Sequence, residues 1–89
     1  MSMAGNKWKE VDYYPDERKQ KALIRDFSFK NFAEALDFAN KVGELAENAN
    51  HHPDISFGWG YARVWLTTHS EHGVTDKDHE LAKAIDALQ

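Results

Sequence analysis

The chain has 89 residues, a formal net charge of −4 at pH 7 and no cysteine. This length fits one domain, and the mixed, slightly acidic charge argues against a dominant basic nucleic-acid-binding surface. The lack of cysteine excludes disulfides, thiolate metal sites and a cysteine nucleophile, and fits a reducing compartment. No apolar run approaches the roughly 20 residues needed to cross a bilayer. We therefore expect a cytoplasmic protein without a membrane segment, with a flexible tail over residues 1–6 and one domain over residues 7–89.

The first third of the chain has two strand patterns. Residues 8–14 are rich in β-formers and predict an edge strand, and residues 22–29 alternate more regularly. One face of the second strand carries Arg25 among three apolar side chains. We expect the stem of Arg25 to pack while its charged head reaches water. Those three apolar side chains are Leu23, Phe27 and Phe29.

A long amphipathic helix follows. Asn31 and Glu34 form an N-terminal capping pattern, in which the asparagine accepts from the third helical amide and the glutamate reaches back. Apolar residues then recur at helical spacing over about five turns. We expect Pro53 to end the helix, because the residue before a proline prefers extended geometry. The predicted apolar stripe consists of Phe32, Ala35, Leu36, Ala39, Val42, Ala46 and Ala49.

The remainder predicts a hairpin and a second helix. Residues 55–59 and 63–68 read as strands around a glycine-rich turn. Their large side chains Trp59 and Trp65 are expected in the core or at a subunit contact, with a pocket wall as the alternative. A second capping pattern, with Thr75 as N-cap, begins the last helix, whose apolar stripe is Leu81, Ala84, Ile85 and Leu88. The order ββαββα predicts an α+β fold: a four-stranded antiparallel sheet with helices packed on one face.

Three histidines stand at positions where this fold brings chain segments together. His51 and His52 lie between the long helix and Pro53, and His69 follows a strand expected to pair beside the strand after Pro53. Three imidazoles could therefore meet at one edge, where a group with a pKa of about 6.5 can give or take a proton. The alternative for the adjacent pair is a simple favourable interaction with the helix dipole.

Two carboxylates are candidate partners for these imidazoles. Glu47 precedes His51 by one helical turn and could orient it, or could be an ordinary solvated residue. Asp78 occupies the third position of the last helix, where it serves equally well as a capping residue. The two roles of Asp78 are compatible.

Other histidine chemistry is less well supported. Three histidines with carboxylates could suggest zinc, but the HExxH motif is absent and neighbouring side chains such as His51 and His52 usually splay apart. We expect no metal. His72 and His79 are expected to face solvent.

Three motifs together resemble one known family, the pterin-4a-carbinolamine dehydratases, over residues 8–88. The motifs are Glu47-x-x-x-His51-His52-Pro53, Leu66-Thr67-Thr68-His69 and Gly73-x-Thr75-x-x-Asp78. The resemblance implies an α+β sandwich and the dehydration of 4a-hydroxytetrahydropterin to quinonoid dihydropterin, without a metal or bound cofactor.

The resemblance also implies roles for individual residues. The family's catalytic histidines correspond to His51, His52 and His69. Its active-site acids correspond to Glu47 and Asp78, which would orient the substrate and the imidazoles together with Pro53.

The resemblance further implies partners. Family members assemble as homodimers or homotetramers and recycle the cofactor of aromatic amino acid hydroxylases. Some relatives instead act as transcriptional coactivators or assembly factors, so a non-enzymatic binding module is the alternative. The intact histidine set favours the enzyme.

Overall fold

The computed structural model describes residues 7–89, and the predicted tail lies outside the described residues. Its elements follow the predicted order ββαββα. The strands are β1 (Lys9–Tyr13), β2 (Gln20–Ser28), β3 (Asp54–Gly58) and β4 (Tyr61–Leu66), and the helices are α1 (Phe32–Ala49), a 3-10 helix (His69–Glu71) and α2 (Asp76–Asp86).

The four strands form one antiparallel sheet in the order β1-β2-β4-β3. Ala62 of β4 pairs with Phe27 on one side and Phe57 on the other, which places these side chains in one row. Because Phe27 packs on Phe38 and Phe57 on Phe32, this row faces α1. The predicted fold class is therefore confirmed. The core also includes Leu23, Val42, Val64, Leu66, Leu81 and Ile85.

The start of α1 is capped as predicted, but its end is not set by Pro53. The side chain of Asn31 accepts from the amide of Glu34 at 2.9 Å, and the Glu34 carboxylate accepts from the Lys30 amide. Asn50 ends the helix three residues before the proline in a left-handed conformation, with φ 51°. Asparagine tolerates that conformation, so the chain turns before the proline acts.

The buried stripe of α1 differs from the predicted one at four positions, one of which is Ala49, exposed in the last turn. Phe38 is 4% exposed and packs 4.5 Å from Phe27 and 5.1 Å from Phe29, measured between ring centroids. Phe32 and Leu36, predicted to be buried, are 46% and 39% exposed. The sheet covers the middle of the helix better than its first turn, so Phe32 contacts only the sheet margin.

The charged head of Arg25 is mostly withdrawn from water, contrary to expectation. The guanidinium pairs with Asp86 near the end of α2 and lies over the Phe27 ring. The Asp86 carboxylate also accepts from the indole of Trp8, at 2.8 Å. The last helix therefore supplies a partner that the strand pattern alone does not reveal.

The two tryptophans of the hairpin have separate environments. Trp59 is 73% exposed at the turn, beside Gly60 with φ 83°, so it is not part of the core. Trp65 is half-buried on the face of the sheet away from the helices, where it stacks on Tyr13 at 5.9 Å. Within the described residues, no helix is long and apolar enough to cross a membrane.

Candidate active site

Three chain segments meet around one buried carboxylate. They are the turn that ends α1, the segment after β4, and the first turn of α2. Asp78 has no exposed surface and contacts all three. The left-handed cap at Asn50 makes this possible, because it redirects the chain so that the amide of His51 bonds back to Ala46 at 3.1 Å.

His51 is joined to this carboxylate directly. Its Nε2 lies 2.6 Å from Oδ1 of Asp78, and its side chain is only 13% exposed. A contact this short between an imidazole and a carboxylate is a charge-assisted hydrogen bond, which is stronger where water is excluded. The structure therefore pairs two residues predicted from separate motifs.

The second oxygen of Asp78 has two further donors. The Thr68 hydroxyl lies 2.8 Å from Oδ2 and the amide of Thr75 lies 2.9 Å from it. The hydroxyls of the two threonines are themselves 2.8 Å apart. The predicted cap by Asp78 is present, and the same carboxylate also holds the segment that leads into the 3-10 helix.

His52 has a partner of its own in a more open position. Its Nε2 lies 2.6 Å from Oε2 of Glu47, and the two side chains are 55% and 76% exposed. Glu47 was expected to face His51, one turn ahead on the helix. The left-handed turn after the helix ends that periodicity, so it is the next histidine that reaches the glutamate.

A shallow cavity of about 890 Å³, broadly open to solvent, lies beside the His52 pair. Glu47, His52, Pro53 and Ile55 form one end of it. The remaining wall is a strip of α1 that the sequence analysis did not identify: Asn40, Gly43, Glu44, Ala46 and Asn48. Counting back from Glu47 in steps of three and four would have found most of this strip, because such residues share a helix face.

His69 is placed differently from the other two histidines. It is exposed and begins the 3-10 helix. Like His51, it does not line the cavity beside His52. Within residues 7–89 no hydrogen bond or ion pair joins it to either imidazole. The preceding residue, Thr68, is hydrogen-bonded to Asp78. His69 is therefore adjacent in sequence to the hydrogen bonds around Asp78 but takes no part in them.

The charge of His69 acts on a carboxyl of the β1–β2 turn. The pKa of the exposed Asp16 carboxyl is lowered mainly by the backbone amide of Arg18, with smaller effects of the charges of Arg18 and His69. His72 is exposed as expected, whereas His79 is half-buried with its Nδ1 buried.

The arrangement suits proton transfer better than metal binding. In the part of the chain that the structure describes, no group of three histidine or acidic side chains is placed to hold a metal ion. Two imidazoles, each paired with a carboxylate, are instead an arrangement found in general acid–base sites.

The fold and these contacts define a small α+β protein with two histidine–carboxylate pairs beside its long helix. Residues 2–88 match the family model described as pterin 4 alpha carbinolamine dehydratase. The chain therefore belongs to the pterin-4a-carbinolamine dehydratase family.

Individual relatives agree with this assignment. A Rubrobacter xylanophilus protein named "Putative pterin-4-alpha-carbinolamine dehydratase" is 56% identical over 66 residues, which span 74% of this chain and 62% of that protein. A Picosynechococcus relative of the same name is 45% identical over 80 residues, spanning 89% and 87% of the two chains. The match thus covers only about six tenths of the first relative's length.

Two solved structures share the fold. A transcriptional coactivator/pterin dehydratase from Brucella melitensis has a TM-score of 0.78 and 35% identity, covering 93% of this chain and 82% of its own. A pterin dehydratase-like protein identified as a RuBisCO assembly factor has a TM-score of 0.72 at 24% identity, covering 96% and 92%. The second likeness concerns the fold alone.

Proposed function

We propose that this protein dehydrates 4a-hydroxytetrahydropterin, such as the biopterin form, to quinonoid dihydropterin by histidine acid–base catalysis. The observation that carries the proposal is the pair of imidazole–carboxylate contacts, His51 with Asp78 and His52 with Glu47, both at 2.6 Å. The cavity beside His52 is large enough for a bicyclic ring, since ligand cavities commonly measure about 300–1,000 Å³.

The reaction needs two proton transfers. The carbon–oxygen bond of the carbinolamine breaks as an acid protonates the hydroxyl, which leaves as water. The adjacent ring nitrogen gives its proton to a base, and its electron pair forms the new carbon–nitrogen double bond. An acid and a base placed on either side of a flat ring accomplish both transfers and are worth roughly 10²–10⁴-fold in rate.

The two histidines have environments suited to different roles. His51 is mostly buried against an anion, so it is suited to accept the proton from nitrogen. His52 is open to solvent and to the cavity, so it is suited to protonate the leaving hydroxyl and regain its proton from water. In this proposal Glu47 and Asp78 orient the imidazoles and Pro53 forms the cavity wall. Because His51 and His69 do not line the cavity, the substrate ring would extend beyond it, towards the segment held by Thr68, to contact them.

A direct assay tests this proposal. Freshly made 4a-hydroxytetrahydropterin is mixed with the purified full chain, and the formation of quinonoid dihydropterin is followed spectroscopically. We expect acceleration over the uncatalysed rate that a chelator leaves unchanged. No acceleration would refute the enzymatic proposal, and loss of activity with the chelator would refute its metal-free form.

We further propose that the protein is a homodimer or homotetramer that works with an aromatic amino acid hydroxylase in the cytoplasm. Exposed apolar side chains support assembly, because Trp59, Tyr61 and Phe32 are 73%, 48% and 46% exposed. Sedimentation velocity at micromolar concentration should give a dimer or tetramer. A monomer over the whole concentration range would contradict the assembly.

The same exposed side chains favour a second candidate function, a binding module that acts as a coactivator or assembly factor. Such a role would use the exposed surface and not the histidines. The dehydration assay separates the two, because a pure binding module would give no turnover.

A further inference from the structure

We propose that His51 exchanges its proton with the substrate through Nδ1, and that Thr68 is the positioning residue that determines this. Thr68 acts by fixing the orientation of the Asp78 carboxylate. The inference rests on the proposed dehydratase function and adds to it the reacting atom and a residue beyond the histidines and acids.

The orientation of Asp78 is set from the side opposite His51. The backbone amide of Thr75 can only donate, and it donates to Oδ2 at 2.9 Å. The Thr68 hydroxyl donates to the same oxygen at 2.8 Å and has one proton to give. The Thr75 hydroxyl must then donate to that of Thr68, 2.8 Å away. Because Oδ2 accepts both of these hydrogen bonds, Oδ1 is the oxygen that faces His51.

This orientation determines the tautomer of His51. An ionised carboxylate only accepts hydrogen bonds, so the Nε2 atom 2.6 Å from Oδ1 must carry a hydrogen. In a neutral imidazole the lone pair then lies on Nδ1. Among residues 7–89, no hydrogen bond engages this atom of His51. Nδ1 is therefore the atom free to take a proton from substrate.

Thr68 and its neighbour Thr67 make a matched pair for a test. Both residues are buried, with Thr68 8% and Thr67 5% exposed. The hydroxyl of Thr67, however, donates to the backbone carbonyl of Lys21 at 2.7 Å and does not touch Asp78. Removing either hydroxyl should cost similar stability, but only one removal should affect the histidine.

The first test compares Thr68→Val, Thr68→Ser and Thr67→Val in the full chain. Nitrogen-15 NMR of the histidine rings reports the tautomer, and steady-state kinetics report turnover. In Thr68→Val the Asp78 carboxylate is held by the Thr75 amide alone, so we expect it to turn away from Nε2 in part of the population. This should lower kcat about tenfold with KM within about twofold, and should convert the single Nε2–H form of His51 into a mixture. Thr68→Ser should restore both readouts, and Thr67→Val should change neither.

A second variant tests the tautomer without relying on Thr68. In Asp78→Asn the amide oxygen should take the place of Oδ2, because two donors point there, and its NH₂ should face His51. The ring must then accept at Nε2, so its neutral form should switch to the Nδ1–H tautomer. A wild-type ring with hydrogen on Nδ1, or no switch in Asp78→Asn, would overturn the assignment.

The NMR readout keeps this inference separate from the proposed function. If the wild-type protein showed the Nε2–H tautomer and the Asp78→Asn switch but no turnover, the dehydratase proposal would fail while the geometry stood. If turnover were normal in Thr68→Val and its tautomer unchanged, the positioning role of Thr68 would be refuted while the enzyme stood.

Discussion

At the scale of single residues, the site depends on one carboxylate that has two roles. Asp78 caps α2 through the amide of Thr75 and also binds His51. The sequence pattern allowed both roles but could not show that they coexist, because the capping signal is local and the contact with His51 spans 27 positions. Thr68 was missed for the same reason. One feature of the sequence could have identified Thr68. It places a hydroxyl directly after a buried strand and only a few residues before the capping aspartate.

The difference in burial between the two acids leads to a stability prediction. Asp78→Ala should destabilise the protein by about 2–4 kcal/mol, because it leaves the Thr68 hydroxyl, the Thr75 amide and the His51 ring without their acceptor. Glu47→Ala should cost less than about 1 kcal/mol, since its pair with His52 is solvent-exposed. Urea unfolding measures both. Equal losses of unfolding free energy in the two variants would contradict a larger contribution of the buried hydrogen bonds around Asp78.

At the scale of elements, local signals predicted the helix starts better than the helix ends. Asn31 and Thr75 were identified as N-caps because a capping pattern lies within four residues. The end of α1 was wrongly assigned to Pro53, since a left-handed asparagine leaves a weaker signal than proline. The prediction of which α1 side chains are buried was wrong at Phe38 and Leu36, because contact with the sheet determines their burial.

The cap at the start of α1 can be tested directly. Asn31→Ala should lower the free energy of unfolding by about 1 kcal/mol, because the Glu34 amide loses its acceptor. Asn48→Ala, on the exposed part of the same helix, should be neutral or slightly stabilising. Denaturant unfolding measures both variants, and a shift of the midpoint at an unchanged slope reports the change in stability. A loss at Asn48 as large as at Asn31 would contradict the assigned cap.

The pairing of β2 with β4 includes an exposed ion pair that should respond to acid. A hydrogen bond from Arg63, at 2.5 Å, and its charge lower the pKa of Asp26. A carboxyl with a lowered pKa stabilises the fold above its unfolded value of about 3.9, and this contribution is lost as pH falls through the folded value. Below the pKa of Asp26 in the folded protein, Asp26→Asn should therefore be as stable as the wild type.

Thermal melts between pH 6 and pH 2.5 measure this effect. The wild type should be the more stable protein at pH 6, and the difference from Asp26→Asn should shrink towards zero below pH 4. A difference that stays constant over this range would show that the charge on Asp26 is not what stabilises the pair.

At the scale of the whole molecule, the sheet-and-helix architecture was predictable because alternation, helical spacing and turn residues all indicated the same order. The structure joins His51 to Asp78 and His52 to Glu47 in two separate pairs, a pairing that the sequence analysis did not assign. That these residues act together in one site stays a prediction. The place of His69 depends on the 3-10 helix after β4, a short element without a periodic signal, and its role stays a prediction.

The central claim is that the two carboxylate-paired imidazoles perform the proton transfers. It is tested most directly by the turnover of His51→Ala and His52→Ala, with His72→Asn as the control. This control removes an exposed imidazole and keeps a residue that tolerates the left-handed backbone, φ 56°, at that position. Each site variant should fold normally by circular dichroism and lose at least about tenfold in kcat, while His72→Asn keeps full activity. Unchanged turnover in both site variants would contradict the account.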